Sequence, residues 1–435
     1  MRDLVPVLLP RIESHRLNGL NAGPEAIYPY YDGLSLANLP ASVCHWLGVP
    51  PLAGPSGGAP ALVSEILDLF PRSFQHVILL VVDGMGLNTL QEALRLAGPD
   101  GDYAAWAGLA GEGVLAPLTS VVPSTTAAAL TSLWTGAAPA NHGIVGYEVW
   151  LKEYGMIANM IFQSPASFTG DVGSLQRAGF DARTFLPVPT LGPHLVQNGV
   201  RPYAFQHQSI ARSGLSTMLF PGVDVNPFKS LSDLWVTLEG LLESGGKERN
   251  YIYIYWGELD EHSHRFGPGD PRVSLELASF SHQMAYIIRA LRARGRGDTL
   301  LLVTADHGHI FTPRQAEYEL RNHPRLLDML VMLPSGEARL PFAYLRPGQD
   351  AAFLDYLETT WRGQFLAAPS QQAIQSGLFG ARGRYERLPE RVGDYVIFPQ
   401  APAYWWFGSR DNPLLGRHGG LSRTEMLIPL VAAAF

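Results

Sequence analysis

The sequence predicts an α/β protein built on a doubly wound, mostly parallel sheet sandwiched by helices, with a small inserted α+β cap. Three observations carry this expectation. The runs HVILLVVDG (76–84) and TLLLVTADHG (299–308) are apolar without interruption, as strands buried on both faces are. Segments with helical spacing, such as VSEILDLF (63–70) and VSLELASFSHQMAYIIRAL (273–291), fall between the strand-like runs, and such alternation is the mark of a parallel sheet. A third strand-like run, NYIYIYWGELD (250–260), also ends in an acidic residue, so three strands deliver Asp83, Asp260 and Asp306 to the carboxyl edge, where ligands bind in such sheets.

Taken in order, residues 1–75 are rich in Pro and Gly, as in PPLAGPSGGAP (50–60), and read as an extension wrapping the core. The catalytic α/β domain is expected over 76–336 and 400–435. Two segments break its alternation. Residues 147–163 read as a hairpin turning near 153–155. Residues 337–399 read as the inserted cap, with strands at LPFAYL (340–345) and DYVIF (394–398) around helices near AAFLDYLETTW (351–361) and QQAIQSGLF (371–379). The aromatic string AYWWFGS (403–409) is read as a strand packed beneath the cap. The basic run RALRARGRG (289–297) closes a helix, where arginines complement the dipole.

Of the 435 residues 46% are hydrophobic and 16% charged, a composition that folds. A net charge of -7 argues against nucleic acid as the main partner, since that binding draws on clustered Lys and Arg. The single cysteine, Cys44, excludes an internal disulfide and a Cys-based zinc cluster, so any metal must use His, Asp and Glu. No run is long enough for a membrane span, and the N-terminus lacks a signal-peptide pattern, so a cytoplasmic location is expected.

Read alone, Asp260-x-x-x-His264 in DEHSH and His418 in GRHGG have structural explanations. Asp306-His307, following a buried strand directly, is a stronger signal, because a buried carboxylate without a partner is costly. Three carboxylates and one ionised hydroxyl would match two divalent cations, with imidazole nitrogens suited to zinc. Two such ions can clamp the attacking and leaving oxygens of a displacement at phosphorus. The hydroxyl comes from VVPSTTAAAL (121–130), which reads as a helix N-terminus. Spacing alone leaves Ser124, Thr125 and Thr126 open, some as caps and one as nucleophile.

The ordered set VVDGMG, PSTTAAALTSLWTG, NHGIVGY, DEHSHRFGP, TADHG and RHGG resembles the alkaline phosphatase superfamily, in particular its type I phosphodiesterase and nucleotide pyrophosphatase branch, over residues 76 to about 310 and at His418. The resemblance implies a metal-dependent hydrolase of small phosphate esters, with phosphodiesters or nucleotide pyrophosphates as the expected substrates. It makes Thr126 the nucleophile, fourth in the tetrad that Pro123 leads and followed by Thr135-Gly136. It implies one zinc on Asp83, Thr126, Asp306 and His307 and a second on Asp260, His264 and His418, with Ser124 or Thr125 left to start the helix. His262 and His309 match no ligand position; they are left as candidates to stand behind the ligands, weighed against a solvent-facing or structural role. Position 129, where the resemblance calls for an amide donor, is Ala129. The alternatives are a phosphomonoesterase or phosphonate hydrolase with the same metals, and a catalytically silent binding member.

Overall fold

A computed structural model describes residues 2–52, 54, 58–71, 73–97, 101–167, 171–244, 246, 248–381, 383–408 and 410–435. Its centre is an eight-stranded sheet in the order Arg2–Asp3, Val114–Thr119, Leu427–Ala434, Thr299–Thr304, His76–Val82, Arg249–Trp256, Val200–His207, Asp224–Phe228. Leu427–Ala434 runs antiparallel to both of its neighbours, and every other pairing is parallel. The expected α/β class and mostly parallel sheet are therefore present. Every residue of His76–Val82 and Thr299–Thr304 is buried, as their unbroken apolar runs require.

The helix Pro271–Arg294 shows how sequence sets a boundary. Asp270 accepts from Arg272 N at 3.0 Å to cap its start, and Gly295, with φ +56°, ends it. Its buried residues Val273, Leu277, Phe280, Met284, Ile287 and Leu291 follow the helical repeat, and Phe280 stacks on Trp256 of the main sheet with ring centroids 4.2 Å apart. Its terminal arginines are engaged structurally, Arg292 with Glu112 at 3.0 Å and Arg294 with Asp298 at 3.6 Å. The stretch 63–70 is helical only over Ser64–Leu67.

A second sheet has seven strands in the order Phe365–Pro369, Tyr395–Pro399, Leu340–Ala343, Ser335–Glu337, Glu148–Leu151, Met156–Asn159, Ser164–Pro165. It unites the two segments that interrupt the core alternation. Glu148–Leu151 and Met156–Asn159 form a hairpin that turns through Gly155 at φ +61°, and one bridge, Gly336 to Glu148, joins it to the strands from the later segment. The strand Phe365–Pro369 has no clear sequence signal. The aromatic string is not a strand: within 403–408 only Trp406 pairs, in an isolated bridge with Glu319, and Ser409 lies outside the described residues. Tyr404 and Trp405 are instead fully buried in a second apolar cluster with Phe353, Trp361 and Phe365. Packing, not a backbone ladder, uses these rings.

At the N-terminus, Arg2–Asp3 adds an edge strand beside Val114–Thr119, and Ala59 N donates to Gly136 O at 2.7 Å. Residues 53 and 55–57 of the Pro/Gly stretch lie outside the described residues. No helix among the described residues is long and apolar enough to cross a membrane.

Candidate functional site

Three main-sheet strands end side by side, and their loops turn over the same edge. Asp83 directly follows His76–Val82, and Asp306 follows Thr299–Thr304 by two residues. Asp260 lies in the first turn of the helix Glu258–Phe266 rather than at a strand end, with His264 one turn later on the same face. Thr126 is the first residue of the helix Thr126–Thr135. His418 arrives from the far end of the chain, just after the strand Gly416–Arg417, which pairs with Ile310–Phe311.

Two adjoining groups result. In the first, Thr126 Oγ1 is 3.2 Å from His307 Nε2, which is 3.3 Å from Asp83 Oδ1 and 3.5 Å from Asp306 Oδ2. Each carboxylate is held by one oxygen only: Tyr255 donates its hydroxyl to Asp83 Oδ2, and the backbone N–H groups of Gly84 and His307 donate to Asp306 Oδ1 at 3.2 and 3.0 Å. The other two oxygens, Asp83 Oδ1 and Asp306 Oδ2, are buried with no hydrogen-bond partner. In the second group, Asp260 Oδ1 is 3.5 Å from His264 Nε2 and 3.8 Å from His418 Nε2, and the two imidazole nitrogens are 3.1 Å apart. His307 and His418 stack across the groups, with ring centroids 3.7 Å apart.

The imidazoles share one arrangement. The Nδ1 atoms of His264, His307 and His418 face the carbonyl oxygens of Gly416, Gly308 and Ser124 at 2.9, 3.1 and 3.1 Å. Donation from each Nδ1–H leaves the Nε2 lone pair facing the cluster, which is how metal-binding histidines are fixed in tautomer and orientation. Two Nε2 lone pairs 3.1 Å apart repel unless an electrophile lies between them. A tetrahedral ion with bonds of about 2.0–2.1 Å separates its donor atoms by roughly 3.3 Å, close to these spacings. The electrostatics agree. Burial, then Asp260 and Asp306, pushes Asp83 well above the ordinary carboxylate range. Burial would also raise Asp260, but the imidazoles of His264, His309 and His418 outweigh it and hold the carboxyl well below. Three donor sets satisfy metal-binding proximity: Asp83-Asp306-His307, Asp260-His307-His418 and Asp260-His264-His309. Orphaned oxygens and converging lone pairs fit divalent cations.

Glycine is required at two positions. Gly84, at φ +75°, would carry a Cβ 2.9 Å from the His309 ring, and a Cβ on Gly308 would lie 2.1 Å from Thr424 O.

One sequence expectation, the capping role of Ser124 or Thr125, needs revision, and the surroundings of four other residues become clear. Of the two readings left open for His309, the structure takes the one in which it stands behind a candidate ligand: its Nε2 is 2.6 Å from Asp260 Oδ1, a hydrogen-bond length, and it does not face solvent. The spacing of TADHGH was the available signal. His262, by contrast, stays outside, with its Nδ1 2.7 Å from Glu258 O. Neither Ser124 nor Thr125 caps the helix: N-cap Thr125 makes no side-chain cap bond and its hydroxyl meets Glu337, whereas Ser124 Oγ donates to Gly420 O at 2.8 Å and accepts from Gly419 N at 3.2 Å, binding the loop before Thr126 to the His418 loop. Ala129 is fully buried in the main apolar cluster, a packing position. Tyr255 was missed, although the alternation of YIYIYW places Tyr251, Tyr253 and Tyr255 on one strand face.

Residues 77–421 match the type I phosphodiesterase / nucleotide pyrophosphatase family. The chain belongs to this family. It is thereby a phosphoric ester hydrolase of a metal-dependent family within the alkaline phosphatase superfamily. Among solved structures, murine ectonucleotide pyrophosphatase / phosphodiesterase 5 is similar with a TM-score of 0.61 at 18% identity, covering 82% of this chain and 87% of that one. An inactive threonine-to-alanine variant of that murine protein, in complex with AMP, matches equally. Phosphonoacetate hydrolase from Sinorhizobium meliloti 1021, in complex with phosphonoformate, matches with a TM-score of 0.58 at 18% identity over 82% of this chain and 89% of its own. These likenesses establish a common fold.

Proposed function

We propose that the chain hydrolyses phosphodiesters or nucleotide pyrophosphates through a covalent Thr126 intermediate at a two-zinc site. The observation that carries the reading is the position of Thr126 Oγ1, 3.2 Å from His307 Nε2 and at the start of a helix without a side-chain cap. Asp83, Thr126, Asp306 and His307 would hold one ion, and Asp260, His264 and His418 the other. When bound, the ions would supply Lewis-acid stabilisation of an ionised hydroxyl and of charge developing on phosphoryl oxygen.

The chain's own residues provide the rest. The first-turn N–H groups of Thr126, Ala127 and Ala128 have no intrahelical acceptor and offer donors to phosphoryl oxygens, aided by the helix dipole. Thr126 Oγ attacks phosphorus, its proton is lost, and the bond to the leaving oxygen breaks. Water then attacks phosphorus, the threonine–phosphorus bond breaks, and Thr126 regains a proton. The AMP complex of the murine neighbour, formed with an inactive threonine-to-alanine variant, is in keeping with a nucleotide substrate and a threonine nucleophile.

The test pairs elemental analysis with turnover of bis-p-nitrophenyl phosphate, p-nitrophenyl phosphate and phosphonoacetate. Two zinc ions per chain are expected, with faster diester turnover and a loss of about 10³-fold or more in Thr126→Ala at unchanged metal content. Retained turnover in that variant rejects the covalent mechanism. Preference for the monoester or the phosphonate moves the assignment to those substrates.

A further inference from the structure

A buried ion pair lies behind the two halves of the site. Arg339, at the turn between the strands Ser335–Glu337 and Leu340–Ala343 of the second sheet, is 1% exposed, and Glu425, just before the central strand Leu427–Ala434, is 0% exposed. They pair by two parallel bonds, Arg339 Nε to Glu425 Oε1 at 3.1 Å and Nη2 to Oε2 at 2.7 Å, the geometry that fits guanidinium to carboxylate. Arg339 Nη1 also donates to the carbonyls of Pro399 and Ala403. Burial would raise the Glu425 carboxyl, but the Arg339 charge outweighs it and keeps it below its ordinary value.

Glu425 reaches both sides of the site from this position. Its carbonyl accepts from Gly308 N at 2.9 Å, beside His307, and its Oε1 accepts from Gly420 N at 2.9 Å, two residues past His418. Oε2 accepts from Ser422 N at 3.3 Å. A Cβ on Gly420 would fall 2.9 Å from Glu425 Oε1 and 3.0 Å from Arg339 O, so this loop lies flat against the pair. The same loop accepts the Ser124 hydroxyl, two residues before the nucleophile. A buried ion pair adds little net stability against an apolar pair of similar volume. An apolar pair, however, would give the Gly420 and Ser422 N–H groups no acceptor.

We propose that Arg339 and Glu425 are positioning residues through which the second sheet fixes the His418 loop against the His307 loop, and so sets the separation of the two metal-ligand groups. The inference rests on the two-zinc reading above. It assigns the second sheet a role in building the site.

The test begins with zinc stoichiometry and affinity of the wild-type chain, measured by chelator competition. Fewer than two ions bound would overturn the two-zinc reading and this inference with it. With two ions bound, the double variant Arg339→Met/Glu425→Leu, which leaves no buried charge, is compared by urea denaturation, zinc affinity and steady-state kinetics. The expected result is a variant that still folds, with a lower urea midpoint from the unpaired Gly420 and Ser422 N–H groups, a 10–100-fold loss of affinity for one zinc, and a fall in kcat larger than any change in KM. A stable double variant with wild-type affinity for both ions and wild-type kcat overturns the proposal. Should the double variant fail to fold, Arg339→Lys keeps the charge but loses the paired bonds. Weakened binding of one zinc there supports the proposal, and unchanged affinity and kcat overturn it.

Discussion

At the scale of single residues the site is organised by what stands behind its candidate ligands. Asp83 presents one bare oxygen because Tyr255, on the neighbouring strand, occupies the other. Tyr255→Phe should weaken binding of one zinc by about 10–100-fold, because an unanchored carboxylate must be ordered when the ion binds. It should also cost about 1–3 kcal/mol of stability by leaving Asp83 Oδ2 unpaired. Chelator competition and urea denaturation read the two effects, and unchanged zinc affinity would show that the hydroxyl has no role in orienting Asp83. The ligand-type residues were legible in the sequence, since DEHSH, TADHG and RHGG pair strand ends with acids and imidazoles. Tyr255 was not, because the partner of a buried hydroxyl is set by strand register, here Val82 opposite Trp256, which no local pattern encodes.

At the scale of elements, the helix Thr126–Thr135 is fixed from both ends. Ser124 binds the loop before it to the Gly419–Gly420 turn, and Ser132, within it, meets His142 Nε2 at 3.0 Å. His142 Nδ1 in turn accepts from Ile144 N at 3.1 Å, so the ring spans the helix and the following turn in its neutral form. Burial, assisted by the Arg391 charge, pulls His142 down to about 3. In the unfolded chain it titrates near 6.5, so the stability tied to its neutral form is full above about pH 6.5 and is lost as pH falls toward 3. Burial likewise pulls His76 down to about 4, with the same sign. The two histidines should therefore pull the denaturation midpoint down between pH 7 and pH 4, against Glu148 and Glu337, whose buried carboxyls are pushed up to about 7 and about 8 and act with the opposite sign; His142→Asn should remove part of the histidine effect, by on the order of a few kcal/mol over the whole window. An identical pH slope in the variant would remove His142 from the account. The helix itself was readable from its alanines and hydroxyls, but the use of Ser124 was not: a hydroxyl before a helix suggests a cap, and only the fold shows a chain segment from nearly 300 positions away beside it.

At the scale of the whole molecule, the main sheet was foreseen from the apolar runs and their alternation with helices, whereas the second sheet was only half seen. The hairpin strands Glu148–Leu151 and Met156–Asn159 were recognised locally, yet their union with residues 335–399 rests on long-range pairing across a single bridge. The assembled fold gathers three carboxylates at one edge, so its stability should depend on the cations that match them. Chelation with EDTA should lower Tm by roughly 5 °C, reversed by added zinc, because ions that bind only the folded chain stabilise it by mass action. A Tm indifferent to chelation in a sample shown to have lost its metal would separate the site from the stability of the fold. The strand Leu427–Ala434 sits between Val114–Thr119 and Thr299–Thr304. A late stretch of sequence thus closes the middle of the sheet, and the loop that carries His418 is anchored at its far end by the same strand that joins the two halves of the core.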